Sequence, residues 1–330
     1  MCTRALYNSD AQVLVGRNMD FRIDLGTNIW ALPKGISRRA GSSDDALTWT
    51  SSFGSVVVTS FDLMSVDGLN TQGLAGHILW LTEADYGTPD RDRTGLPLSM
   101  WLQYFLDNFA TVADAVAWID AVRPQIIPMV NPLDGSTPTL HLALDDATGD
   151  SAIIEYTDGE PTVWHSRDYQ VMTNSPSFGE QLELVATIDC FGGDRPLPGT
   201  TAAVDRFARA LHYIRNLPSS DSTVQAVAGV MSVMRNTAQL FRLPDPGEPS
   251  ASQTLWQTVT DLKNLRLIFQ STTRPNLIWV DLADLDLSEG APTLKLDLVN
   301  DNALEGGYSG NVAKDFADHG SFEILLPTTS

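Results

Sequence analysis

The sequence predicts an α+β fold with helices packed on antiparallel sheets, because the period of its apolar residues switches along the chain. Alternation by two gives way to recurrence every three to four residues, twice over, before the chain closes in strands. Clusters of turn residues, Asn8-Ser9-Asp10 and Thr157-Asp158-Gly159-Glu160 among them, fall between the alternating runs, as in short strands that pair with their neighbours.

The first strands are read from Cys2 to Tyr7, Gln12 to Arg17, Ser55 to Phe61 and Leu74 to Leu81, with Val66-Asp67-Gly68 as a turn. Leu98, Trp101, Leu102, Phe105 and Phe109 then recur at helical spacing, and Thr111 caps a second amphipathic stretch from Val112 to Val122. Leu140, Leu142 and Leu144 alternate with His141 and Ala143, and the segments Ala152 to Tyr156 and Thr162 to His165 form a hairpin about residues 157–160. Gln170 to Thr173 extends this sheet. A second helical block covers Thr201 to Ile214 and Thr223 to about Leu240, the latter opening at the cap Asp221-Ser222. Pro244-Asp245-Pro246-Gly247 with Pro249 marks a loop, after which Trp256 to Thr260, Leu265 to Phe269, Leu277 to Leu282 and Leu294 to Leu298 read as pairing strands.

Composition narrows the function. With 330 residues, 43% of them hydrophobic, the chain can bury a full core, and its length allows one large domain or two ordinary ones with no linker to divide it. A formal charge of -20 repels phosphate backbones and anionic membrane surfaces, so neither nucleic acid nor a membrane is an expected partner. No apolar run reaches the roughly 20 residues that span a bilayer, and the first residues carry no basic, apolar, cleavable leader.

Most cofactor signatures are missing. The five histidines stand apart from acidic partners at metal spacing, and Asp281, Asp284, Asp286 and Asp145-Asp146 lack the pattern of a calcium loop, so no metal and no cofactor is expected. There is no G-x-S-x-G, no phosphate loop and no G-x-G-x-x-G after a strand. The two cysteines, Cys2 and Cys190, cannot form a disulfide scaffold and need separate explanations.

Cys2 has one. A methionine before so small a residue is normally excised, which leaves thiol and free α-amine on the same residue, and an α-amine with a pKa near roughly 7.7 to 8.0 can take the thiol proton itself. The Asn8-Ser9-Asp10 turn folds Gly16-Arg17-Asn18-Met19-Asp20-Phe21 back toward the chain start. A guanidinium such as Arg17 beside a sulfur favours thiolate, and a carboxylate such as Asp20 orients an amine.

The segments Cys2-Thr3-Arg4, Arg17-Asn18-Met19-Asp20-Phe21, Asp67-Gly68-Leu69-Asn70, Met172-Thr173-Asn174-Ser175-Pro176 and Leu197-Pro198-Gly199 with Asp205-Arg206-Phe207-Ala208-Arg209 resemble, in order, the choloylglycine hydrolase family of N-terminal nucleophile hydrolases. The likeness to the penicillin V acylases of Gram-negative bacteria is closer, through Ile78-Leu79-Trp80-Leu81, Ile278-Trp279-Val280-Asp281-Leu282 and Lys295-Leu296-Asp297-Leu298, and it covers nearly the whole chain.

The resemblance implies one four-layer αββα domain over residues 1–330 with two central antiparallel sheets, a homotetramer, and an amide hydrolase acting on a small acyl amide. Penicillin V and N-acyl homoserine lactones are the candidate substrates, with the lactones favoured because linear acyl chains suit an aromatic-walled pocket. Bile acid deconjugation and a catalytically silent acyl-amide binder are the alternatives. By matching motifs, Cys2 is the nucleophile once Met1 is removed, Arg17 its neighbouring cation, Asp20 the holder of the α-amine and Asn174 a polar contact to the reacting centre. Arg235, in Ser232-Val233-Met234-Arg235-Asn236, is the fifth catalytic candidate, placed by a helix-end pattern.

Trp80 stands where bile acid hydrolases carry an asparagine donor, and so is expected to wall an acyl pocket; Phe21 replaces a second pocket tryptophan of the Gram-negative acylases. Cys190 matches no motif and is expected to have no role. The resemblance implies a periplasmic or secreted location, and a natural start at Met1 a cytoplasmic one.

Overall fold

The computed structural model describes residues 2–44, 46–131, 135–243, 252–274, 276–301 and 307–327. Two sheets stack face to face, and helices cover the outer face of each. Among the described residues the first sheet runs, in spatial order, Val171–Met172, Cys2–Asn8, Val13–Phe21, Gln253–Asp261, Arg266–Ser271, Ile278–Asp281 and Gly310–Asn311. The second runs Glu160–His165, Ser151–Thr157, Leu140–Asp145, Ala75–Trp80, Met64–Asn70, Ser55–Ser60, Ile29–Leu32, Leu294–Leu296 and Ala317–Asp318. Pairing in both is antiparallel, apart from the edge pair Ile278–Asp281 with Gly310–Asn311. Helices α1 (Trp101–Asn108) and α2 (Val112–Val122) lie on the second sheet; α4 (Ala203–Arg215) and α5 (Thr223–Thr237) cover the first, α4 against the Cys2 strand and α5 against Val13–Phe21, and α3 (Phe178–Val185) packs beside α4.

A strand in the middle of such a stack is buried on both faces, so it cannot alternate apolar and polar. Val13–Phe21 is buried throughout except at Phe21. Its even positions face α5: a Cβ on Gly16 would lie 2.6 Å from the Met234 side chain, and Asn18 Nδ2 donates to Met234 O at 2.8 Å. Its odd positions face the second sheet, where Arg17 donates to Val66 O and Ile78 O. The buried apolar residues of both sheets and the helices form one continuous cluster around these polar side chains.

The other strand and helix readings hold in place with shifted ends, but Gln170 to Thr173 does not extend the sheet of the 157–160 hairpin: its strand Val171–Met172 crosses to the first sheet, where Met172 pairs with Arg4. The caps are as expected: Thr111 accepts from Asp114 N, and Ser222 from Gln225 N. Val66-Asp67-Gly68 is a correction, for it lies inside the strand Met64–Asn70. Gly68 is there because Leu106 and Val57 press on it, a Cβ meeting them at 2.7 and 2.8 Å, and the turn comes earlier, at Phe61 and Asp62 with φ of 54° and 53°. Helix α3 was not anticipated, although its capping box, Ser177 with Glu180, is an S-x-x-E signature. The loop read at Pro244 to Pro249 lies outside the described residues.

Candidate active site

Cys2 opens a central strand of the first sheet, paired with Met19 across the hairpin and only 4% exposed. Its sulfur points between the sheets, 3.9 Å from Arg17 Nη2 and 3.7 Å from Met19 Sδ. Arg17 is fixed by bonds of 2.8 Å to Val66 O and 2.7 Å to Ile78 O, and its guanidinium lies over the Trp256 ring at 4.9 Å. The carbonyls and the ring face hold the guanidinium in place, with Asp67 Oδ2 3.4 Å from its Nη1, so that Nη2 stands beside the sulfur as a cation that can stabilise an anion there.

The backbone nitrogen of Cys2 donates to Asn174 Oδ1 at 2.6 Å, and Asn174 Nδ2 donates to Trp80 O at 2.7 Å. These two bonds fix the orientation of the Asn174 amide. Gln181 Nε2, on α3, donates to Asn174 O at 2.9 Å, so the helix that went unread in the sequence steadies this loop.

Asp20, on the helix side of the same strand as Arg17, accepts from Thr254 Oγ1 at 2.6 Å. Burial pushes its carboxyl pKa up, against the pull of Arg206 and the Thr254 bond. Arg206 Nη1 lies 3.8 Å from Asp20 Oδ2 with neither side chain exposed. The same guanidinium donates to Cys2 O, to Thr3 Oγ1 at 2.6 Å, to Asn174 Oδ1 at 2.8 Å and to Thr201 O at 3.0 Å. One buried cation thus ties α4 to the chain start, to Asn174 and to Asp20.

Of the five catalytic candidates, Cys2, Arg17, Asp20 and Asn174 come together and Arg235 does not. Arg235 sits exposed in the last turn of α5, and what α5 sends toward the site is the carbonyl of Met234, bonded to Asn18. The guanidinium that meets Cys2, Asn174 and Asp20 is that of Arg206. The sequence held a signal for it: Arg206 shares with Phe207 and Ala210 the buried face of an amphipathic helix, where an arginine needs a partner.

Trp80 and Phe21 are both half-buried at strand ends next to these residues, Trp80 linked through its carbonyl to Asn174 and Phe21 adjoining Asp20. A groove of about 280 Å³ opens nearby, lined by Ile23, Thr27, Phe241, Thr254, Trp256 and Leu298 among others; Phe21 and Trp80 do not line it. Cys190 is exposed on a short 3-10 turn away from Cys2.

The geometry is that of a thiol beside a fixed guanidinium, with its own backbone nitrogen held by a fixed amide oxygen, and comparison with known proteins agrees. The model of the linear amide C–N hydrolases of the choloylglycine hydrolase family matches residues 2–301. This chain belongs to the choloylglycine hydrolase family. It is 38% identical to a penicillin V acylase of Pectobacterium atrosepticum, over 98% of this chain and 92% of that protein. The solved penicillin V acylase of Agrobacterium tumefaciens superposes with a TM-score of 0.88 at 41% identity, over 98% of this chain and 100% of the other. A mutant conjugated bile acid hydrolase of Clostridium perfringens shares the fold, with a TM-score of 0.75 at 20% identity over 89% and 95% of the two chains. As a member of this family, the protein is an amide hydrolase with the four-layer α+β fold of the N-terminal nucleophile hydrolases.

Proposed function

We propose that this hydrolase is an N-terminal cysteine acylase that, once Met1 is removed, cleaves the acyl amide of penicillin V and of N-acyl homoserine lactones through a thioester on Cys2. The observation that carries the reading is the pairing at Cys2: its sulfur sits 3.9 Å from Arg17 Nη2 while its own nitrogen is held at 2.6 Å from Asn174 Oδ1. With Met1 gone that nitrogen is the α-amine. It takes the thiol proton, and the sulfur attacks the amide carbonyl carbon.

Negative charge then builds on the carbonyl oxygen. Asn174 Nδ2 gives one hydrogen to Trp80 O and has a second to offer, and this donor is the first candidate for the oxyanion. The proton on the α-amine passes to the leaving nitrogen, the C–N bond breaks, and the acyl group stays on sulfur. Water, deprotonated by the same amine, hydrolyses the thioester and returns the thiol. Asp20 and Arg206 hold the chain start throughout, as the amine changes charge.

Phe21 and Trp80 wall the acyl site in this reading, which favours linear acyl chains and hence the lactones. The test is a panel of penicillin V, acyl homoserine lactones of several lengths and a glycine-conjugated bile acid, hydrolysed by protein whose intact mass lacks Met1. Turnover is expected on the first two, with KM raised several-fold for long chains in Trp80→Ala and Phe21→Ala. Fastest turnover of the bile acid would replace this reading with deconjugation, and binding without turnover of any substrate would make the protein an acyl-amide binder. A homotetramer belongs to the same reading, and light scattering on the eluted protein tests it.

A further inference from the structure

Behind Arg17 a line of charges crosses the interior between the sheets. Arg17 Nη1 lies 3.4 Å from Asp67 Oδ2, His77 Nδ1 lies 3.1 Å from the same oxygen, and His77 Nε2 lies 3.9 Å from Asp145 Oδ2. Asp145 Oδ2 in turn accepts from Arg4 Nε at 2.9 Å. All five side chains have no solvent exposure. They come from five strands, Arg4 and Arg17 from the first sheet and Asp67, His77 and Asp145 from the second. Thr258, on the neighbouring strand of the first sheet, adds a 3.1 Å bond to Asp67.

Two arginines and two aspartates balance, so an uncharged imidazole at the centre keeps the line neutral. Burial pushes the pKa of His77 down in the same direction. A neutral imidazole has one N–H, and the nearer carboxylate calls for it on Nδ1, facing Asp67. The ring lies between the two ion pairs, Arg17 with Asp67 on one side and Arg4 with Asp145 on the other, and is packed against the carboxylate that meets Arg17. No step of the hydrolysis uses His77.

We propose that His77 is a positioning residue that, through Asp67, holds the Arg17 guanidinium beside the sulfur of Cys2. This rests on the reading of Cys2 as nucleophile, and it assigns to a buried histidine that touches no substrate a share in the reactivity of the thiol. The effect runs His77 to Asp67 to Arg17, each contact lying inside the stack where water does not screen it.

Three variants test it in protein lacking Met1: His77→Leu, which fills the space without a donor; His77→Asn, whose amide nitrogen stands near the place of Nδ1; and His77→Gln, whose amide reaches toward Nε2. The first readout is the rate at which iodoacetamide alkylates Cys2 at pH 7, with peptide mass spectrometry separating it from Cys190. The second is kcat and KM on whichever amide the protein hydrolyses. His77→Leu is expected to slow alkylation about tenfold, the effect of displacing a neighbouring cation, and to lower kcat with KM unchanged. His77→Asn is expected to restore most of both, and His77→Gln little.

Parent rates of alkylation and turnover in folded His77→Leu would overturn the proposal. If that variant does not fold, equal rates in His77→Asn and His77→Gln overturn it instead. Failure of the nucleophile reading looks different, since alkylation of Cys2 would then leave turnover intact.

Discussion

Arg206 shows how a residue far away in sequence completes a local motif. Its guanidinium reaches Cys2 O across 204 positions, and the same fork meets Asn174 and Thr3. An ammonium cannot reproduce that fork, so Arg206→Lys should lower kcat by roughly 100-fold, while Arg235→Ala, exposed on α5, should stay within about twofold of the parent. Steady-state kinetics on any hydrolysed amide decides between the two arginines. Asp20→Asn keeps the size of the side chain and an acceptor for Thr254 but removes the charge beside Arg206. Turnover should fall at least about tenfold with an unchanged far-ultraviolet circular dichroism spectrum; full activity would take Asp20 out of the mechanism. Cys2, Arg17 and Asp20 were legible in the sequence because one short turn sets the register Cys2 with Met19. Arg206 was legible as a motif and as an arginine on the apolar face of a helix, but its partners were not, because they depend on how α4 lies over the sheet.

At the scale of elements, the strand Val13–Phe21 governs the site. It sends Arg17 to one face and Asn18 and Asp20 to the other, and Gly16 lets α5 approach closely enough for Met234 O to accept from Asn18. Gly16→Ala puts a methyl 2.6 Å from Met234 and 2.7 Å from Val230. The predicted result is a loss of about 1–3 kcal/mol in a denaturant titration, with turnover reduced as α5 moves; an unchanged midpoint would mean that α5 is not packed here as described. Amphipathic helices with clear caps were readable from Thr111 and Ser222 because capping is a local hydrogen bond. Asp67-Gly68 misled because polar and glycine residues usually signal turns; here Asp67 serves the interior ion pairs and Gly68 makes room for Leu106.

The whole molecule carries its excess of acid, 41 acidic against 21 basic side chains, over an interior where charges are matched. None of its described helices is long and apolar enough to cross a membrane. The interior line makes stability depend on pH. Burial holds the folded-state pKa of His77 below its ordinary 6.5, so as the pH falls from 6.5 toward that lowered value the unfolded chain binds a proton that the folded one does not. Stability should therefore be full above 6.5 and decline below it, by up to about 1.4 kcal/mol per pH unit from this group. Urea titrations at pH 7 and 5.5 check it, and His77→Asn should flatten that part of the slope; an equal slope in both proteins would contradict it. The alternation of sheets and helices was visible in sequence because it is written in periodicity. The face-to-face stacking that buries Arg4, Arg17, Asp67, His77 and Asp145 together was not, since it arises from pairings between distant strands.

The account turns on an acyl group passing through the sulfur of Cys2. Turnover of a hydrolysed amide, quenched in acid and followed by intact and peptide mass spectrometry, reads this directly. The expected result is the mass of the acyl group on the peptide that begins at Cys2, absent from Cys2→Ala, which should also be inactive. Hydrolysis at the parent rate by Cys2→Ala would contradict it.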